Sequence, residues 1–177
     1  MNSDILIDYD GKNVKGQFFT PTETKTKPFV SFTGLLKNKL YTLLMHDPNA
    51  VGGNVNHWIV VNIKNGDINS GQTIVTYKGP SPPPNTGVHH YIFDLYIQKS
   101  ELYVSEKINH TSALDDVYRV LELTNQTPVV EKYFTSQYVK INGGKIISKK
   151  RVKKTRHVKK NRRRTKKTKK IICLTRQ

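Results

Sequence analysis

The chain has 177 residues, a formal net charge of +17 and one cysteine. Residues 145–177 hold 17 of the 30 Lys and Arg residues and no Asp or Glu, so a charge-balanced body carries a cationic extension. The body is large enough for one compact domain; Cys173 alone excludes an internal disulfide or a cysteine-based zinc cluster, and no run approaches the roughly 18 apolar residues of a membrane span.

From the N-terminus, Met1–Tyr9 lacks the basic start and apolar run of a signal peptide. With the single cysteine, this predicts an intracellular chain, cytoplasmic or nuclear, not secreted. The sequons at Asn109 and Asn125 are then chance matches. Phe29–Phe32, Leu40–Met45, His57–Ile63, Thr73–Tyr77 and Tyr91–Ile97 are rich in β-branched and aromatic residues, and Gly, Pro, Asn or Asp clusters divide them. The expected fold is therefore mostly β and antiparallel. Tyr91–Ile97 is apolar on both alternations, as a strand covered on two sides requires. One short peripheral helix is predicted, capped by Ser112, with Ala113, Leu114, Val117, Tyr118 and Leu121 on one face and packed against a sheet edge.

Two connections differ from ordinary sheet turns. Met45-His46-Asp47-Pro48-Asn49-Ala50-Val51 ends one strand and leads through glycines to His57. Tyr77–Tyr91 contains Gly79, Pro80, Ser81, Pro82, Pro83, Pro84, Gly87, His89 and His90. Its prolines stiffen the loop, remove backbone donors and leave a cis peptide open. From chemistry alone, Asp47, His57 and His89 suit a site for a phosphate or carboxylate: imidazoles donate to an oxyanion, and a carboxylate fixes their tautomer. Gly79 and Ser81 offer backbone donors, and Pro82 and Tyr91 offer walls. The competing reading is a structural polar cluster joining two loops. His46, His90 and His110 are read as surface or loop histidines.

At these residues the chain resembles the phosphatidylethanolamine-binding protein family, which includes Raf kinase inhibitor protein and the plant flowering regulators. Leu40–Leu44 followed by Asp47-Pro48-Asn49-Ala50 is similar to the family's D-P-D-x-P segment, and His57–Asn62 to its histidine-led strand. Gly87-Val88-His89-His90-Tyr91 resembles its G-x-H-R-Y segment, and Phe19–Thr22 and Phe32–Gly34 also fit, so the likeness spans roughly residues 6–125. The resemblance implies an antiparallel two-sheet sandwich over residues 1–142, with an anion pocket that includes Pro48 at one end. It also implies a ligand-binding regulator in place of an enzyme. Three positions depart from the pattern: Asn49 replaces an Asp, Val51 a Pro and His90 an Arg. Charge stays balanced if positions 49 and 90 face each other. The family's C-terminal helix has no counterpart after Tyr138.

Catalysis and cofactors are not expected. No serine lies in a G-x-S-x-G elbow, and no H-E-x-x-H or comparable metal spacing is present. Residues 143–177 form the basic tail, predicted to be disordered when free because like charges repel and nothing in it builds a core. Its polyanion-binding candidates are Lys149, Lys150, Arg151, Lys153, Lys154, Arg156, Lys159, Lys160, Arg162, Arg163, Arg164, Lys166, Lys167, Lys169 and Lys170. Sequence-independent binding to nucleic acid phosphates is favoured, with an anionic membrane surface as rival and a localisation signal as the plainer role. Without aromatic residues among the charges, base stacking is not expected. The alternative for the whole chain is a structural or nucleic-acid-packaging protein whose sandwich is a scaffold. The Asn, Ile and Lys content would suit an AT-rich genome such as that of a large DNA virus, in a virion or virus factory.

Overall fold

The computed structural model describes residues 3–142 and 145–147. Among these, the chain forms β1 (Asp4–Tyr9), β2 (Lys12–Asn13), β3 (Phe29–Thr33), β4 (Tyr41–Asp47), β5 (Val55–Ile63), β6 (Gln72–Val75) and β7 (Val88–Ile97). After them come α1 (Leu114–Val120), β8 (Val130–Gln137), β9 (Lys140–Asn142) and β10 (Lys145–Ile147). The strands make a three-stranded sheet, β2-β1-β3, a five-stranded sheet, β6-β5-β4-β7-β8, and a β9-β10 hairpin, all antiparallel. The expected mostly β sandwich with one short helix is the architecture found. No helix among the described residues is long and apolar enough to cross a membrane.

The core between the sheets draws Ile5, Ile7 and Tyr9 from β1, Val30 from β3, and Tyr41, Leu43 and Met45 from β4. Trp58 and Val60 of β5, Tyr91, Phe93 and Leu95 of β7, and Phe134 of β8 complete it with Phe19. The other face of the large sheet is also covered, by a second cluster that joins Leu44, Ile59, Val61, Val75 and Tyr96 to Val117 and Leu121. This explains why β4 is buried at every position and why β7 is apolar on both alternations.

Two details of the predicted helix change. The helix lies over the face of the large sheet, not at its edge, because Val117 and Leu121 belong to the cluster shared with four of its strands. Ser112 does not cap it: Ala113 occupies that position and makes no side-chain cap bond. The Ser112 hydroxyl instead accepts from Asn109 N, and its carbonyl accepts from Asn56 Nδ2. The hydroxyl is thus committed to the preceding turn and the carbonyl to β5. The proline-rich loop contains no cis peptide.

Strands β1 and β8 extend the architecture beyond the runs legible in the sequence. β8 reads VEKYFTSQ and buries only Phe134 and Ser136, as an outer strand with one covered face does. Residues 16–19 lie along its free edge, with Phe19 N donating to Thr135 O (2.9 Å) and Thr135 N to Gln17 O (3.0 Å). Residues 145–147 pair with residues 140–142, so the hairpin runs across the expected boundary between body and tail. The fifteen basic residues from Lys149 to Lys170 proposed to contact polyanions lie outside the described residues.

Candidate functional site

Antiparallel pairing brings the C-terminal end of β4 beside the N-terminal ends of β5 and β7. Asp47, His57 and His89 are distant in sequence, yet all three stand at this one end of the large sheet. His89 Nδ1 lies 2.7 Å from Asp47 Oδ2, and Asp47 Oδ1 accepts from Asn49 N at 2.8 Å. Both side chains are almost completely buried. The Tyr91 ring stacks near that of His89 (centroids 6.5 Å apart, 19° between planes) and is met edge-on by His57 at 5.0 Å. Burial raises the Tyr91 phenol above its usual range, and the Asp47 charge adds to that, so Tyr91 stays protonated.

A β-bulge places His57. Met45 pairs with Trp58 and His46 with Asn56, which leaves His57 as the extra residue between them. A bulge of this kind re-aims a side chain out of strict alternation. Here Trp58 enters the core between the sheets while its neighbour His57 also meets core residue Tyr91. Lys78 grips the bulged residue twice: Lys78 N donates to His57 O (2.8 Å), and His57 Nδ1 donates to Lys78 O (2.6 Å). Burial then lowers the His57 pKa, the carbonyl and Asp47 opposing it only in part. At neutral pH His57 is therefore a neutral imidazole with its proton on Nδ1, and its Nε2 presents a lone pair. It suits a ligand hydroxyl, an ammonium or a protonated phosphate oxygen, in contrast to the donor to an oxyanion expected of it.

The remaining candidates divide by position. Pro82 is buried and Ser81 and Pro48 are exposed. Gly79 packs against another part of the chain: a Cβ there would stand 2.7 Å from Thr24 O and 3.0 Å from Lys25 Cα. With Tyr77 Oη donating to Thr24 O at 2.6 Å, it anchors the base of the proline-rich loop. Two residues of the site escaped the sequence reading. Thr86 Oγ1 lies 2.8 Å from His89 Nε2. Ser136 is paired with His89 across β7 and β8, is fully buried, and its hydroxyl has no hydrogen-bond partner among the described residues. Thr86 sits three residues before His89 in the same loop, a proximity the sequence contains; Ser136 is legible only once β8 is recognised as a neighbour.

Positions 49 and 90 do face each other, as charge balance suggested: Asn49 Oδ1 accepts from His90 N and ring Nδ1. His90 is exposed, as read from the sequence, but the other two histidines are not free surface groups. His46 is buried on the helix side of the sheet, with Nδ1 on Asn54 Oδ1 (2.9 Å) and Nε2 3.3 Å from Asp94 Oδ2. It precedes Asp47 on a strand whose successive side chains point to opposite faces. Half-buried His110 donates from Nδ1 to Asn56 O at 2.7 Å. Among the described residues no group of three or more His, Cys, Asp or Glu side chains is placed to hold a metal ion.

The family profile described as Phosphatidylethanolamine-binding protein matches residues 9–134. A Drosophila melanogaster relative named as an odorant-binding protein, A5, is 32% identical over 136 residues, covering 70% of this chain and 64% of the relative. From Oryza sativa subsp. japonica, Protein MOTHER of FT and TFL1 homolog 2 is 39% identical over 92 residues, 48% of this chain and 51% of that protein. The chain thus spans between half and two thirds of the length of these curated relatives. Among solved structures, the phosphatidylethanolamine-binding protein from Plasmodium vivax superposes with a TM-score of 0.60 at 21% identity, over 76% of this chain and 85% of the other.

Proposed function

The chain belongs to the phosphatidylethanolamine-binding protein family, and on that premise we propose that it is a non-enzymatic module that binds a small phosphate- or carboxylate-bearing ligand at the Asp47, His57 and His89 cluster. The observation that carries this reading is the 2.7 Å contact between Asp47 Oδ2 and His89 Nδ1 at the end of the large sheet. The carboxylate holds the ring in one orientation through Nδ1, and in the imidazolium form Nε2 also donates, to an oxyanion. His57 adds a complementary acceptor, and Tyr91 with Pro82 an apolar wall. A ligand that combines an anionic oxygen with an ammonium or hydroxyl, as a phosphorylethanolamine headgroup does, satisfies both imidazoles. Titration of phosphorylethanolamine into wild type and His89→Ala tests it: the variant, which leaves the buried Asp47 carboxylate without its partner, should lose stability as well as binding, and a folded variant that binds as well as wild type would refute the assignment.

The tail at residues 143–177 has a second role, sequence-independent binding of DNA or RNA through phosphates. Its support is the charge segregation, 17 basic and no acidic residues in positions 145–177. An anionic membrane surface is the competing polyanion. A packaging protein with the sandwich as scaffold is the alternative for the whole chain, and it would show nucleic-acid binding with no small ligand at His89.

A further inference from the structure

Both ring nitrogens of His89 are committed within the protein. Nδ1 meets Asp47 Oδ2 at 2.7 Å and Nε2 meets Thr86 Oγ1 at 2.8 Å, and only 1% of the residue is exposed. An incoming oxygen therefore finds the outward nitrogen already taken.

Proton bookkeeping shows what Thr86 does there. Its hydroxyl carries one proton, and Pro83 O, which can only accept, lies 2.9 Å away. With the proton given to Pro83, Oγ1 faces His89 as an acceptor, and the ring that donates from Nε2 to Thr86 and from Nδ1 to Asp47 carries both protons, as an imidazolium. A ligand oxyanion would stand in this same relation to the ring. Thr86 is held in place by a short turn in which Asn85 and Gly87, on either side, have left-handed φ values of 67° and 85°. Gly87 has open space around it, with nothing within 4 Å of the position a Cβ would take. Across from His89, the Ser136 hydroxyl is fully buried with no partner among the described residues. Such a group costs free energy unless something hydrogen-bonds it. It is thus an independent sign that this end of the sheet is built to hold a further polar group.

We propose that Thr86 is a displaceable internal occupant of the anion subsite: a phosphate oxygen replaces Thr86 Oγ1 on His89 Nε2, and the turn at residues 85–87 moves aside to admit it. The proposal rests on the ligand-site reading above and adds a regulation to it. Every binding event must first break the Thr86 contact, so apparent affinity is lowered by the fraction of molecules in which the contact is closed. Thr86 sets affinity from within the loop without itself adding to the bound state.

The test uses full-length wild type, Thr86→Val, Thr86→Ala and Thr86→Ser. Inorganic phosphate and phosphorylethanolamine are titrated in turn, and the His89 ring nitrogens are followed by NMR, so that phosphate collecting on the basic tail does not enter the readout. Thr86→Val should bind either compound about three- to tenfold more tightly than wild type, and Thr86→Ser within about twofold of it. Thr86→Ala should show the same gain and decides the matter if the valine variant does not fold. Affinity in both hydroxyl-free variants equal to or below wild type overturns the occupant role and leaves the ligand site standing. No saturable change at His89 in any of the four proteins overturns the site reading, and this proposal with it.

Discussion

Asn49 Oδ1 receives two hydrogen bonds from His90, one from the backbone N at 2.9 Å and one from ring Nδ1 at 3.0 Å. This pair ties the loop after β4 to the start of β7, beside the direct contact between Asp47 and His89. Asn49→Asp should place a second carboxylate near Asp47 and weaken phosphorylethanolamine binding several-fold. Adding His90→Arg should restore it, since a guanidinium neutralises the new charge and suits a carboxylate. Calorimetric titration of the single and double variants checks both steps, and a double variant as weak as the single one would show that the two positions are not coupled.

Ser136→Ala removes a buried hydroxyl that has no partner among the described residues. Leaving such a group unpaired costs about 1–3 kcal/mol, so the variant should gain stability of roughly 1 kcal/mol in urea unfolding. If the hydroxyl serves a ligand, the same change should weaken binding. Stability gained with affinity lost marks a residue kept for function.

His57 gives the body a pH dependence with a defined sign. Its folded pKa is lowered by burial, so the unfolded chain takes up this proton first as pH falls. Stability is therefore fully present above about pH 6.5, the reference value for histidine, and is lost progressively below it. His57→Gln should flatten that slope. Urea midpoints between pH 7.5 and 5 measure it, and an unchanged slope would assign the effect elsewhere.

Phe134 links the site to the core. Its ring stacks on Tyr91 at 5.2 Å and meets Phe19 at 5.3 Å and Tyr9 at 5.7 Å. Phe134→Ala should destabilise the body by about 3–5 kcal/mol, and, where the variant remains folded, loosen Tyr91 and lower affinity at His89. Denaturant unfolding alongside the ligand titration separates the two effects.

Truncation after Ile147 keeps the β9-β10 pairing and removes nearly all of the basic run. Full-length protein should bind DNA with log affinity falling against log salt at a slope near −7 if about eight side chains contact phosphates. The truncated body should not bind. Scrambled duplexes should compete as well as any chosen one, and a truncated protein with the full salt slope would move the cationic surface onto the sandwich.

The parts of the fold legible in the sequence were those in which one segment carries its own signal. Tyr91–Ile97 announces a doubly covered strand by its composition, and the Asp47, His57 and His89 segments share one motif order. What escaped depended on partners. β8 exposes Glu131 and Tyr133 and buries only alternate residues, so its eight-residue run carries little apolar signal until the sheet is known. The bulge at His57 cannot be read from a strand in isolation because it is a mismatch between two strands. His46 looked like a loop residue because its acidic partner, Asp94, lies in a different strand, 48 positions away. The helix start was missed for a similar reason: Ser112 is claimed by Asn56 and Asn109 before it can cap anything.

The strip at residues 16–19 that lies along β8 joins an early part of the chain to a late one. Ile5 and Ile7, near the beginning, share their core with Phe134, near the end of the sandwich. A growing polypeptide cannot close this structure until residue 137 has left the ribosome, because the outer strand and its cover are made more than a hundred residues apart. Until then the β7 edge is open to other chains. Folding dominated by such distant pairings is slow, so the β7 edge stays exposed for a long part of the chain's synthesis and folding.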